Sequence, residues 1–190
     1  MVRFHLSDGS SFALHAEVVA REKIAVGISL DSERLSQLLT LSEQVLARVR
    51  ALALLSRSAH TRRGLSRKLA ARGFSAEAIR HAATRMKELG YLDDRSFAEE
   101  WVRLRLSTPR EGVKSLSRGL LGRGVPRALA EEVVAALCPP EVELEAARRV
   151  AAGLSPAAAA RRLTGRGFRS RTIGVIVREL ERKARGPAEE

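Results

Sequence analysis

One short pattern occurs three times in this chain: a leucine, two variable residues, an arginine, a glycine and an apolar residue. The copies are residues 69–74, 120–125 and 163–168, at offsets of 51 and 43 residues. An arginine lies two residues before each leucine, and an apolar stretch follows each copy. Repetition at such a period is typical of helical units that bury their apolar faces against one another.

The pattern has the form of a helix end followed by a second helix. Leu65 and Leu69 are four residues apart, so they share one helix face. The glycine after the arginine can adopt the positive φ that the residue past a helix C-terminus often needs. Ser75 is a candidate N-cap for the next helix of the first copy, and Pro126 suits a first helical position in the second.

Apolar residues at helical spacing predict a further helix before each pair. They are Val45, Val49, Leu52 and Leu55, then Phe97, Trp101 and Leu104, then Val142, Ala146 and Val150. Asp93 or Asp94 could cap the second of these helices. The sequence therefore predicts nine helices in three repeats, at residues 47–92, 93–138 and 139–190. Each repeat is too small for a large core, so we expect adjacent repeats to stack.

Residues 1–46 predict a different, smaller module built on a β-hairpin. A three-residue loop at 8–10 would pair Leu6 with Phe12 and Phe4 with Leu14, and would keep all four on one face. A two-residue loop would mix the faces, so we prefer the longer one. Short helices are expected next, around residues 16–23 and from residue 31 onwards, because a lone hairpin is marginal and must lean on other elements. The expected fold is thus mainly α, with tandem three-helix repeats after a hairpin and helix module.

The charge of the chain favours an acidic partner. The formal net charge is +12, which favours nucleic acid or another polyanion. Residues 1–46 hold four basic and six acidic residues, whereas the remainder holds 30 basic and 16 acidic residues. The basic residues are thus concentrated in the repeats.

A helical wheel through the second helix of each repeat, at about 100° per residue, places cations opposite the leucines. These outward cations are Arg63 and Arg67, Lys114 and Arg118, and Arg161. They would suit a phosphate backbone or an acidic groove; the alternative is a solvated face. The motif arginines, Arg72, Arg123 and Arg166, lie nearer the leucines in the last turn. There a cation also offsets the helix dipole, so structural and binding roles are both open for them.

Other function classes lack support in the sequence. The lone cysteine, Cys138, excludes an internal disulfide and suits a small buried residue at a helix end. The four histidines lack metal-ligand spacing, and no phosphate-binding glycine loop or catalytic set is present. Trp101 is expected in the core rather than as a base-stacking platform. We therefore expect no enzyme activity, cofactor, metal or membrane span, and a monomer in the cytoplasm.

Several stretches resemble a known family. They are residues 51–57, 65–74, 112–116 and 120–125, together with the most specific, Leu-Gly-Tyr-Leu-Asp-Asp-Arg-Ser-Phe-Ala at 89–98. Over residues 48–182 the chain resembles the RecX family. One departure is Ala159, where the other two copies have leucine.

The resemblance implies tandem three-helix repeats and a regulatory, non-enzymatic activity. RecX proteins bind RecA and RecA–single-stranded DNA filaments and limit filament growth, ATP hydrolysis, strand exchange and co-protease activity. This chain would then modulate DNA repair, homologous recombination and the SOS response. The outward cations and the motif arginines would bind DNA, through its phosphate backbone and without sequence specificity, or the RecA filament. The alternative is a stand-alone nucleic-acid-binding repeat protein without RecA contact.

Overall fold

The computed structural model describes residues 1–108 and 110–185, which fold into a two-stranded hairpin and ten helices. They divide into two compact units, Met1–Asp93 and Asp94–Glu190. The first unit contains β1 (Val2–His5), β2 (Ser11–Leu14), α1 (Ala16–Arg21), α2 (Ser32–Leu55), α3 (Arg62–Ala70) and α4 (Ala76–Glu88). The second contains α5 (Asp94–Leu106), α6 (Val113–Arg123), α7 (Arg127–Leu137), α8 (Pro140–Ala151), α9 (Pro156–Gly165) and α10 (Ser170–Arg185). The mainly helical fold with an N-terminal hairpin is confirmed.

Helix α2 joins two helices that the sequence predicted separately. It runs without a break through 24 residues, and the Asp31 side chain caps its start by accepting from the Arg34 N–H at 2.7 Å. No glycine or proline interrupts residues 32–55, so nothing in the local sequence ends the helix earlier. The prediction of two helices was wrong at this point. The boundary that we propose at residue 46 lies inside α2.

The hairpin has a different register from the predicted one. Phe4 pairs with Phe12 and Val2 with Leu14, whereas the sequence predicted a pair of Leu6 with Phe12. The pairing is thus shifted by two residues, which leaves every side chain on its predicted face. The two phenylalanine rings stack with their centroids 5.3 Å apart. Alternation therefore predicted the faces correctly and the register wrongly.

The loop explains that shift. The Asp8 carboxylate accepts from the Ser10 N–H (2.8 Å) and the Ser10 hydroxyl (2.7 Å), which fixes a local turn. Gly9 takes a φ of +86°, and the Leu6 N–H donates to the Ser10 carbonyl at 2.9 Å. Leu6 and Ser10 therefore close a three-residue loop, residues 7–9, one position earlier than predicted, and the strand pairing begins one residue beyond each of them.

The repeated pattern forms the predicted turns in all three copies. Gly73, Gly124 and Gly167 have φ values of +82°, +92° and +76°. The leucines at the start of each copy, Leu69, Leu120 and Leu163, are buried, and so is Ala159. Exchange of leucine for alanine at 159 therefore keeps the position in the core.

The second helix of each pair begins close to where the sequence predicted. The Ser75 hydroxyl accepts from the Ala78 N–H at 3.2 Å and so caps α4. The carboxylate of Glu43, on α2, accepts from the Ser75 N–H (2.7 Å) and its hydroxyl (2.6 Å). This contact ties the start of α4 to α2. Pro126 lies one residue before α7, in the N-cap position rather than the first helical position.

Small residues form a larger part of the hydrophobic core than the sequence predicted. Several residues of the predicted apolar stripes are exposed: Val49, Leu52, Leu104 and Val142. Ala47 and Ala51 on α2 are fully buried instead, as are Ala82 on α4 and Ala98 and Val102 on α5. Helix faces made of alanine let neighbouring helices approach closely. The buried faces of these helices therefore include alanines that lie beside the predicted apolar residues.

Cys138 gives a direct probe of the second unit. It is buried at the end of α7, as predicted, and burial, with the nearby carboxylate of Glu143, raises the pKa of its thiol from 9.0 to about 11. We expect iodoacetamide at pH 8 to alkylate the folded protein at least about 100-fold more slowly than the urea-unfolded protein, since the thiolate is the nucleophile. Mass spectrometry of a labelling time course checks this, and equal rates in both states would contradict it.

Candidate nucleic-acid interface

The five outward cations all lie on exposed surface. Arg63 and Arg67 are on α3, Lys114 and Arg118 on α6, and Arg161 on α9. The helices are fixed in rotation by the buried residues on their other side, and side-chain caps fix the starts of α3 and α9. The Thr61 hydroxyl accepts from the Gly64 N–H at 2.9 Å at the start of α3, and the Ser155 hydroxyl accepts from the Ala158 N–H at the start of α9.

In the first unit, Arg67 has basic neighbours. Arg62, Arg67 and Arg80 line a shallow groove between α3 and α4, whose floor includes Ala83 and Ile79. The groove thus combines several guanidinium groups with an apolar base. Such a surface can hold an acidic segment by its charge and still contact apolar atoms beside it.

Two motif arginines act on their own helices. Arg72 Nη1 donates to the Lys68 carbonyl at 2.6 Å, and Arg123 Nη1 donates to the Gly119 carbonyl at 3.0 Å. Each acceptor lies four residues earlier, in the last turns of the helix, where a cation offsets the partial negative charge of the helix end. These contacts support the structural role that the sequence left open.

The third motif arginine makes a different contact. Arg166 Nη1 donates to the carbonyl of Arg110 at 3.0 Å, in the segment between α5 and α6. The backbone continues the junction: the Gly112 N–H donates to the Arg166 carbonyl (2.9 Å) and the Lys114 N–H to the Gly167 carbonyl (3.0 Å). The structure thus brings Lys114, an outward cation of the second repeat, next to Arg166 of the third.

Glycine is required at this junction. A Cβ on Gly112 would lie 2.3 Å from the Phe168 Cα, and a Cβ on Gly167 would lie 2.6 Å from the Ser115 nitrogen. Gly167 also has positive φ, which other residues adopt at a cost. The two backbones therefore approach each other closely enough to fix how the second and third repeats are joined.

Trp101 positions two of the basic side chains. It is half-buried against the core of the second repeat, and the guanidinium carbons of Arg105 and Arg123 lie 4.8 Å and 4.7 Å from its ring centroid. These are cation–π distances. Gly119 makes room for the ring, since a Cβ there would lie 2.4 Å from it. The expected core position is confirmed, and the ring also orients Arg123.

Glu143, which the sequence reading did not single out, is the central polar group of the second unit. Its side chain is fully buried. Oε1 accepts from the Val113 N–H (3.2 Å) and the Arg169 N–H (3.1 Å), and Oε2 accepts from the Thr172 hydroxyl at 2.9 Å. The Arg169 guanidinium lies 3.7 Å away. One carboxylate on α8 therefore holds the starts of both α6 and α10.

A sequence signal for Glu143 exists. It lies three and four residues before Ala146 and Ala147, both buried, so it falls on the apolar face of α8. An acid on such a face needs buried partners. The backbone N–H groups at the starts of α6 and α10 supply them here.

Other titratable groups add little to the interface. Burial, together with the ammonium of Lys68 at 3.2 Å from Nε2, lowers the pKa of His60 and so favours the neutral ring. No cluster of histidine, cysteine or carboxylate side chains suited to a metal ion occurs within residues 1–108 and 110–185. In the same residues, no helix is both long and apolar enough to span a membrane.

Comparison with known proteins gives the same family repeatedly. Residues 47–86 match the family model described as RecX, first three-helix domain. Over 122 residues the chain is 43% identical to the regulatory protein RecX of Thermus thermophilus, covering 62% of this chain and 80% of the relative. It is 33% identical over 147 residues to the regulatory protein RecX of Mycobacterium leprae, covering 70% and 85%.

Solved structures share the fold. A crystal structure of RecX from Lactobacillus salivarius superposes with a TM-score of 0.68 at 22% identity, covering 73% of this chain and 97% of that one. A crystal structure of regulatory protein RecX gives a TM-score of 0.74 at 21% identity, covering 93% and 94%. At these identities the likeness concerns the fold alone.

Proposed function

The chain belongs to the RecX family, and on that basis we propose that it regulates RecA by binding RecA and its filaments on single-stranded DNA. Binding limits filament extension and so lowers ATP hydrolysis, strand exchange and co-protease activity. The protein thereby modulates DNA repair, homologous recombination and the SOS response. A monomeric state, a cytoplasmic location and the absence of enzyme activity belong to the same proposal.

The observation that carries the binding part is the repeated position of the outward cations. Each second helix, α3, α6 and α9, presents at least one exposed cation on the side opposite its buried core residues. Buried residues thus hold each helix in a rotation that keeps these charges at the surface. Exposed arginine and lysine side chains suit phosphates and acidic protein surfaces, and they speed the encounter with such partners.

The net charge of +12 also supports a second candidate, a nucleic-acid-binding repeat protein that makes no contact with RecA. Such a protein would bind single-stranded DNA with a steep dependence on salt, because each phosphate contact releases counterions. It would compete for free DNA but would leave a completed RecA filament unchanged. The two candidates therefore differ in the effect on filaments that have already formed.

The test is RecA ATP hydrolysis on single-stranded DNA. We expect sub-stoichiometric amounts of this protein, relative to RecA, to lower the rate several-fold when added to preformed filaments, since one molecule bound at a filament end affects many protomers. Excess single-stranded DNA in the assay excludes simple competition for DNA. No change in the rate at stoichiometric protein would contradict regulation of RecA, and retained DNA affinity in that case would favour the second candidate.

A further inference from the structure

A basic cleft in the second unit leads to a more specific assignment. We propose that this cleft binds adjacent phosphate groups of a single DNA strand. It lies between the segment that follows α5 and the helices α8 and α9, and its volume is about 380 Å³. Four arginines and two hydroxyl residues line it: Arg110, Arg149, Arg162, Arg166, Ser107 and Thr108.

The cleft carries a concentrated positive charge. Among the described residues, none of those that line it is acidic. The two nearest carboxylates along the chain are already paired, Glu111 with Arg105 at 2.8 Å and Glu145 with Arg149. The Glu145 pair is exposed, and an exposed pair contributes little and is easily exchanged for another anion. Several guanidinium groups around one cleft repel each other until an anion neutralises them.

Part of the cleft is held in place before any anion binds. Arg166 is half-buried, and its Nη1 donates to the Arg110 carbonyl at 3.0 Å. The Gly112 N–H, donating to the Arg166 carbonyl, fixes the same segment from the other side. Arg110 is therefore tied to the end of α9. Arg162 and Arg149 are exposed and can turn toward a bound anion.

The geometry of the guanidinium group indicates phosphate. A guanidinium presents a planar fork of donors that matches two phosphate oxygens, and hydroxyls add further donors. Cations near the ends of α8 and α9 also offset the helix dipoles. That role accounts for Arg149 and Arg162, in or beside the last turns, but it does not account for Arg110, which lies outside both helices.

Phosphates of this kind occur in a DNA strand and in the polyphosphate of a nucleotide. The assignment to DNA rests on the proposed function, because a protein that acts on a RecA–DNA filament meets the strand itself. The cleft also accounts for residues that the repeat pattern did not single out, since Arg110, Arg149 and Arg162 have no equivalent in the spacing that the three copies share.

The test uses the full chain with Arg149→Ala and Arg162→Ala combined, which leaves the rim contacts of Arg166 intact. We expect binding of a fluorescent single-stranded oligonucleotide, measured by anisotropy at about 0.1 M salt, to weaken at least about tenfold. The slope of log affinity against log salt should become shallower by about 1.4, at about 0.7 for each phosphate that the variant no longer neutralises.

The matched control is Arg127→Ala combined with Arg171→Ala, which removes the same charge from α7 and α10 outside the cleft. Arg127 pairs with Glu131 four residues later, much as Arg149 pairs with Glu145. We expect this control to weaken binding at most about twofold, as screened charges do. Equal losses in the two variants would overturn the cleft, because general charge alone would then explain DNA binding.

Two further measurements separate the remaining outcomes. The variant with Arg149→Lys and Arg162→Lys keeps the charge of the cleft and loses the planar guanidinium fork. Its affinity for the oligonucleotide should lie between those of the wild type and the alanine variant, and this comparison remains informative even if the alanine variant folds poorly. In a competition experiment, ATP and unlabelled single-stranded DNA are compared at equal concentrations of phosphate. If ATP displaced the labelled oligonucleotide at the lower concentration, the cleft would be a nucleotide site and the DNA assignment would be overturned. Wild-type protein that bound DNA through the cleft without affecting RecA would keep the cleft and contradict the proposed function.

Discussion

Replacing Glu143 by alanine is expected to lower the free energy of unfolding of the second unit by about 2–4 kcal/mol. The substitution leaves two backbone N–H groups, those of Val113 and Arg169, and the Thr172 hydroxyl without their acceptor in a buried site. Each orphaned buried donor costs about 1–3 kcal/mol, and water entering the space recovers part of that cost. The Arg169 side chain is 38% exposed, so removal of its ion pair adds little.

Fluorescence of Trp101 during urea unfolding measures this effect, because the chain has one tryptophan and it lies in the second unit. The control is Glu145→Ala on the same helix, which removes an exposed acid paired with Arg149 and should change stability by at most about 0.5 kcal/mol. A matching drop in stability of the control would show that helix α8 is sensitive to any change of an acid. Unchanged stability in Glu143→Ala would mean that its contacts do not hold the repeats together.

The second large effect concerns the outward cations. Changing Arg67, Arg118 and Arg161 together to alanine is expected to weaken binding to RecA–DNA filaments by about 10- to 100-fold at about 0.1 M salt. The slope of log affinity against log salt should become shallower by about 0.7 for each phosphate contact that is lost. The three positions are equivalent in the repeats and exposed. Titration of RecA ATP hydrolysis with the variant measures the shift in the half-inhibiting concentration.

The control for that triple variant removes one exposed arginine from another helix of each repeat: Arg50→Ala, Arg127→Ala and Arg171→Ala. Both variants lack the same charge, so a difference between them reports position rather than net charge. Circular dichroism should show equal helicity in all three proteins, since surface substitutions of this kind change stability little. If both variants inhibited RecA ATP hydrolysis equally well, the outward cations would be solvated surface residues without a role in binding.

The turns and the repeated core were predictable because single residues determine them. A glycine with positive φ and a leucine four residues from another leave few alternatives, and the structure has both at the expected places. The exact apolar stripes were harder to predict, since Ala47 and Ala51 carry little hydrophobic signal although they are fully buried. Their burial depends on how closely the neighbouring helices approach, which is a tertiary property.

The register of the hairpin was not predictable from alternation, and the contacts of Glu143 depend on tertiary structure. Alternation has a period of two, so it cannot distinguish registers that differ by two residues. The partners of Glu143 lie 26 to 30 residues away, and nothing in the local sequence connects them. The positions of Arg72 and Arg123 were predictable, whereas the carbonyls that accept their hydrogen bonds were visible only in the structure.

The continuity of α2 has a consequence for insertions and deletions. Its first half packs with the hairpin through Leu38 and its second half with α4 through Ala51. One residue inserted between these two positions would rotate the hairpin by about 100° around the helix axis relative to the first repeat. Seven inserted residues would turn it by nearly two full turns and lift it by about 10 Å without changing the face that it presents. The direction in which the N-terminal module points therefore depends on the number of residues in α2. Only insertions or deletions close to a whole number of helical turns would keep that direction.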